Sequence, residues 1–349
     1  MLNQFSSLGE MKPDRVMAPA NDLFGIKSTM SISIWKNVLN PYIPRIDKNY
    51  VFQNDLLREL LTWLEKPTDD GFWLYGHLGT GKSSVLEQLA ARMNLAVYTQ
   101  TGSETMDMEE LIYTTSFENG TSRINLGSLA KAFTYGGLFI FNEIDYCQPH
   151  HIAALNDILS GNTLTIQSNS GEIVKLEKHP CFYFSVASNT NGTPDEDVPV
   201  EYHGTGPMNP AFKDRFIFFK LDYLKPEDEL KIVLNRGFEE TVSRMEFNSE
   251  KHKADVHANY CLTFKPVIKN MIKVANDSRI AVEKGKFDRP LTLRCLKRWI
   301  QRGVAWQGAK NILHLTAKGA FLNSLSSGQR VVIEQFCADR FGDEWSYDE

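Results

Sequence analysis

Cysteine is scarce in this chain and never paired. Cys147, Cys181, Cys261, Cys295 and Cys337 lie far apart, with no C-x-x-C among them. That excludes a zinc ribbon or a dithiol centre and points to reduced, buried thiols in a cytoplasmic setting. Long apolar runs are also missing. No stretch reaches the roughly 20 residues of a membrane-spanning helix, and the N-terminus carries no signal-peptide pattern, so no membrane span is expected. Positive charge is not in excess: 38 Lys and Arg stand against 43 Asp and Glu, a net charge of −5. This argues against broad nucleic-acid binding driven by phosphate attraction. No internal repeat or long low-complexity tract suggests a solenoid.

What is present is a globular composition, 42% apolar over 349 residues, enough for two domains or one large one. One stretch organises the rest. Phe72-Trp73-Leu74-Tyr75 reads as a buried strand. Gly76-His77-Leu78-Gly79-Thr80-Gly81-Lys82-Ser83-Ser84 follows and fits G-x-x-x-x-G-K-[ST], the phosphate-binding loop. A polyphosphate needs several backbone N–H groups turned inward, which glycine permits, and the next helix adds the positive end of its dipole. Lys82 would reach the β- and γ-phosphates, and the Ser83 hydroxyl would ligate Mg²⁺. Leu86, Leu89, Ala90 and Met93 give that helix one apolar face.

Along the chain, residues 1–48 read as irregular, an arm or a strap broken by Pro13, Pro19, Pro41 and Pro44. A helix is expected from Asn54 to Glu65, and strands at 95–99, 138–141, 182–187 and 217–221. Hairpins are expected with turns at Glu118-Asn119-Gly120-Thr121 and Asn169-Ser170-Gly171. Helices are expected around 129–134 and on the spacing of Ile152, Leu155 and Leu159. From Lys225 the chain reads as helical, with helices at 267–274 and 291–304, and its acidic end, 339–349, as frayed. The reading is an α/β core followed by a helical lid, divided near Tyr223.

Strand ends are where α/β folds place ligands. Glu143 follows the strand at 138–141 and could orient attacking water, or cap the helix after it. Asn189 ends the strand at 182–187 and could hold that water, or only make the turn. Arg215, in Asp214-Arg215-Phe216, could supply positive charge or pair locally. Arg294 sits at a helix start. His150-His151 do not share a helix face, so a metal pair there is not expected.

The order phosphate loop, hairpin, strand with Glu, hairpin, strand ending in Asn, Asp-Arg-Phe and helical lid resembles the MoxR branch of AAA+ ATPases, and within it the CobS-like group. Leu86-Glu87-Gln88-Leu89-Ala90-Ala91-Arg92-Met93-Asn94, Gly136-Gly137 with Asn142-Glu143-Ile144-Asp145, Ala187-Ser188-Asn189-Thr190, Tyr202-His203-Gly204-Thr205, Met208-Asn209 and Asp214-Arg215 carry it. Phe24-Gly25-Ile26 and Asp47 to Phe52 are similar to the group's N-terminal strap. The likeness spans about residues 24–221 and is weak across the lid.

The resemblance implies an AAA+ P-loop NTPase, with its parallel sheet between helices and a C-terminal helical lid. It divides the chain into an extension (1–48), an α/β core (49–222), a lid (223–338) and an acidic tail (339–349). It implies ATP and Mg²⁺ as cofactors. Residues 76–84 with Tyr50, Val51 and Phe52 would hold the nucleotide, and Ser83 and Asn142 the metal. Glu143, Asn189, Arg215 and Arg294 would be catalytic, with Arg215 the finger acting on a neighbour's γ-phosphate and Arg294 the sensor 2 arginine. The assembly would be a homo-oligomeric, hexameric ring that remodels a partner. That partner would be a separate protein with a von Willebrand A domain, since no Asp-x-Ser-x-Ser motif occurs here. Other readings are a cobaltochelatase ATPase subunit, a nucleotide-gated scaffold and a nucleic-acid motor like the McrB ATPases. One residue departs from the family: Asn142 stands where it has Asp, keeping an acceptor oxygen but losing the charge. ATP binding is expected to survive this, with slower hydrolysis.

Overall fold

A computed structural model describes residues 10–36, 40–65, 68–118, 121–152, 155–167, 173–193, 207–287 and 289–345. The chain forms two compact units. One comprises residues 1–77, 81–198 and 204–222, and the other residues 78–80, 199–203 and 223–349.

The first unit opens with a hairpin that the sequence did not suggest. β1 (Arg15–Pro19) and β2 (Ser31–Trp35) pair antiparallel across α1 (Ala20–Phe24). Each strand is five residues long, and the proline at the end of β1 reads locally as a breaker. Tertiary packing decides instead: Trp35 is fully buried, and the Arg15 guanidinium lies 4.4 Å from its ring centre.

α2 (Asn54–Leu64) then buries Leu56, Leu57, Leu60, Trp63 and Leu64 along one face. Next come β3 (Gly71–Tyr75), α3 (Lys82–Met93) and β4 (Val97–Thr101). The hairpin of β5 (Tyr113–Glu118) and β6 (Thr121–Leu126) leads to α4 (Ser128–Tyr135) and β7 (Gly137–Asn142). Of the helix expected on Ile152, Leu155 and Leu159, the described residues show α5 (Pro149–Ile152) and α6 (Asn156–Ser160); residues 153–154 lie outside them. The second hairpin, β8 (Thr163–Gln167) with β9 (Ile173–Glu177), precedes β10 (Phe182–Ser188), α7 (Pro210–Lys213) and β11 (Phe216–Lys220). The turn residues Asn119-Gly120 and Asn169-Ser170-Gly171, and Tyr202-His203-Gly204-Thr205, lie outside the described residues.

The apolar runs become one five-stranded parallel sheet, ordered β11-β3-β10-β7-β4, because only a strand covered on both faces can bury every side chain. β10 is buried at all seven positions. Its register sets Ala187 beside both Leu74 of β3 and Asn142 of β7. The C-terminal ends of the three central strands therefore stop side by side.

The second unit is helical: α8 (Pro226–Val242), α9 (Glu250–Glu283), α10 (Leu293–Ala305), α11 (Ile312–Ala320) and α12 (Ser327–Phe341). Its core gathers Val233, Ile268, Met271, Leu296, Trp299, Ile333 and Cys337. α9 runs 34 residues with Pro266 inside it, where the sequence suggested a shorter helix. The Arg279 guanidinium donates to both oxygens of Glu229, at 2.7 and 2.9 Å, and both side chains are buried. Of the end read from sequence as frayed, 339–349, residues 339–341 close α12 and 342–344 form a 3₁₀ turn that leads to Trp345, buried against Trp299 and Phe341; residues 346–349 lie outside the described residues. Apolar packing of one indole outweighs the local acidity. Among the described residues no helix is long and apolar enough to cross a membrane.

Candidate functional site

The loop between β3 and α3 carries residues 76–81. Gly76 has φ 152°, and a Cβ there would fall 2.2 Å from the carbonyl oxygen of Leu221. Gly81, the N-cap of α3, has φ 97° and gives that helix no side-chain cap. The first-turn N–H groups of α3 thus have no capping side chain to satisfy them, the arrangement an anion fills. Lys82 and Ser83 open α3, and Ser84 beside them is exposed.

Lys82 is buried, and its Nζ donates to Gly76 O at 2.8 Å, His77 O at 3.2 Å and Asn189 Oδ1 at 2.9 Å. All three acceptors are neutral. Burial lowers the ammonium to about pKa 8, against the opposing pull of Glu143 and Asp145. On the other side of the same amide, Asn189 Nδ2 donates to Glu143 Oε2 at 2.7 Å. Burial also raises the Glu143 carboxyl, with Asp145 adding to the rise and Lys82 and Asn189 opposing it. Ser83 Oγ donates to Asn142 Oδ1 at 2.5 Å. Lys82, Ser83, Asn142, Glu143 and Asn189 thus meet at the ends of β3, β7 and β10.

Glu143 sits at φ 54°, one of three non-glycine residues with positive φ among the described residues. Such a conformation costs on the order of 1–3 kcal/mol and persists where the surroundings impose it. Here its N–H still donates to Ala187 O at 2.8 Å, so the sheet ladder continues while the chain turns away.

Sequence reasoning quoted Asp145 but gave it no role. It is 1% exposed. Its Oδ2 accepts from Asn189 N at 3.1 Å, Thr190 N at 3.0 Å and Thr190 Oγ1 at 3.2 Å. This clamp fixes the backbone from which Asn189 projects. The signal was there, an acidic residue two positions past Glu143 after an apolar strand, but its partners are 44 and 45 residues away. Trp73 Nε1 anchors the same turn through Ser188 Oγ at 2.7 Å.

Tyr50, Val51 and Phe52 precede α2, and two further residues missed as contributors hold their segment to α3. Gln88 accepts from Asp47 N at 2.8 Å and donates to Arg45 O at 3.0 Å. Arg92 donates to Asp47 O at 2.7 Å, and its guanidinium lies 5.1 Å from the Phe52 ring centre.

One expected residue does not join the cluster. Arg215 Nε donates to Ser160 Oγ at 2.8 Å and one terminal nitrogen to Ala211 O, so its bonds stay within α6 and α7. Arg294 lies exposed in the first turn of α10, in the second unit.

The residues fit a nucleoside triphosphate with a divalent cation. A buried ammonium held only by neutral acceptors, beside an uncapped helix start, suits phosphate. Two oxygens from Ser83 and Asn142, 2.5 Å apart, suit a hard cation.

Residues 71–216 match the AAA domain of the dynein-related subfamily. Along the whole chain there is similarity to the aerobic cobaltochelatase subunit CobS of Sinorhizobium sp, 23% identical over 345 residues, 95% of this chain and 92% of that protein. An uncharacterized protein of Staphylococcus epidermidis is 31% identical over 166 residues, 46% of this chain and 58% of its own length. A solved structure from Cytophaga hutchinsonii, whose ATPase assignment is itself provisional, covers 81% of this chain and 88% of its own at 19% identity and TM-score 0.42.

Proposed function

We propose that this chain is an AAA+ ATPase related to CobS, that it binds and hydrolyses ATP at the subunit interfaces of a ring, and that it uses the cycle to remodel a partner protein, in the manner of the MoxR branch. The observation that carries the reading is the meeting of Lys82, Ser83, Asn142, Glu143 and Asn189 at three adjacent strand ends.

Each residue has a stated task. Lys82 exchanges its three neutral acceptors for phosphate oxygens. Tyr50, Val51 and Phe52 flank the base. Ser83 and Asn142 hold Mg²⁺, which when bound neutralises phosphate charge. Glu143 orients water and takes its proton, and its raised pKa brings it nearer working pH. Asn189 holds the Glu143 carboxylate and, once Lys82 turns to phosphate, has its own oxygen free for water. Arg215 acts on the neighbouring subunit's γ-phosphate, and Arg294 is the sensor 2 arginine.

The test pairs two variants. Lys82→Ala should lose ATP binding, and Glu143→Gln should keep binding and stop phosphate release. Tight ATP binding by the first, or unchanged turnover by the second, would remove the assignment. A second reading, a nucleotide-gated scaffold with little turnover, is favoured by Asn142 alone. Multiple-turnover phosphate release separates the two. Whether the partner is a metal-chelatase subunit, as the CobS name suggests, is answered by testing this chain with a large chelatase subunit and a von Willebrand A protein.

A further inference from the structure

α10 carries arginine at positions 294, 298 and 302, four residues apart and so in one row along the helix. The last two open onto a cleft of about 340 Å³ within the helical unit, which Gln301, Trp306, Gly319 and Glu240 also line. Arg302 is built into its place there. Its guanidinium carbon lies 5.3 Å from the centre of the Trp306 ring. It also lies against Gly319, where an added Cβ would come within 2.5 Å of the same carbon. The glycine leaves the space that the fork occupies.

Among the described residues no carboxylate pairs with the Arg302 fork. Its Nε is shielded from water with no hydrogen-bond partner among the described residues. A buried unsatisfied donor is costly. Neither Arg298 nor Arg302 forms an ion pair within 4.0 Å among the described residues. The one carboxylate in the lining, Glu240, is taken by Arg244 at 2.8 Å. Trp306 is 43% exposed and forms an apolar wall beside two unspent guanidinium groups.

We propose that this cleft binds an acidic side chain of a partner polypeptide, with an apolar neighbour of that side chain packed on Trp306. A guanidinium stacked on an aromatic ring and free at its fork matches carboxylate geometry with two parallel hydrogen bonds. Two arginines beside a neutralised Glu240 make a local positive site rather than the long basic track that a nucleic-acid backbone follows. The net charge of −5 works the same way.

The test uses the full chain without nucleotide, so its failure leaves the ATP site untouched. The probe is a fluorescein-labelled peptide of alternating Glu and Leu, read by anisotropy. The wild type should bind it saturably, and the same peptide with Gln for Glu should not bind. R302Q should weaken binding by about tenfold or more. G319A should do the same without changing charge. Alanine suits a helix interior, and only the mobile tip of Arg302 has to give way. Thermal unfolding of both variants checks the fold. No binding by the wild type, equal binding by G319A, or displacement of the peptide by oligo-dT or inorganic phosphate would each overturn the proposal.

Discussion

Asn189 faces Glu143 with its amide nitrogen, 2.7 Å from the carboxylate, while its amide oxygen accepts from Lys82 at 2.9 Å. One small side chain therefore links the Lys82 amine, proposed to bind phosphate, to the Glu143 acid, proposed to orient water. Asn189→Ala should cut turnover by about 10²–10³, the scale of losing one preorganised polar group, with ATP affinity little changed. Phosphate release under saturating ATP, beside equilibrium binding, checks the split. Equal loss in both would mean that Asn189 only shapes the loop.

Lys82 gives a pH dependence with a definite sign. Its pKa in the folded protein is lowered to about 8. If, as proposed, the ammonium form binds phosphate, nucleotide binding above pH 8 must take up a proton. ATP affinity should fall as pH rises, approaching about tenfold per unit. Between pH 8 and 10.5 the unfolded chain holds this proton and the folded chain does not. Unliganded stability from this group therefore rises with pH over the same window in which affinity falls. Calorimetric binding from pH 7 to 10, with proton uptake measured in two buffers, decides it.

Asn142→Asp should restore a carboxylate beside Ser83 without altering the hydrogen bond from the serine hydroxyl. We expect half-saturation at lower Mg²⁺ and faster turnover. A Mg²⁺ titration of phosphate release reads both, and no change in either would leave Asn142 without a metal role.

Arg215→Ala should bind ATP normally and lose most hydrolysis, since a finger supplied in trans is worth about 10³–10⁵ in rate in well-studied GTPases. Mixing it with Glu143→Gln should recover part of the activity where an intact Glu143 meets an intact Arg215. Failure of every mixture to recover under subunit exchange would place Arg215 in cis or remove the ring.

In the helical unit, Arg279→Ala leaves Glu229 buried without its partner and should cost about 3–5 kcal/mol. Replacing both with apolar residues of similar volume should cost far less. Urea unfolding of the single and double variants measures the difference.

The glycine-rich loop and the three central strands were legible because their signals are local: a glycine pattern, and apolar runs too dense for a half-exposed strand. The β1–β2 hairpin was not, because Trp35 earns its burial from distant partners. The same holds for Asp145, whose worth lies in amides 44 and 45 residues away. α9 hid behind Pro266, which is exposed, so that the helix there is held by the packing of its neighbours. No local signal marks Arg302, because Gly319, which makes room for it, lies on another helix.

The Asp47 backbone has a mechanical consequence. Its N–H is held by Gln88 and its carbonyl by Arg92, two side chains one turn apart on α3. Two anchors on one peptide segment let it tilt but not slide. Any displacement of α3 on filling the loop at its start must drag this segment along, converting a local event at the phosphates into motion of chain lying outside the sheet. A distance probe between Lys48 and a fixed point on β7 would register nucleotide arrival without touching the nucleotide.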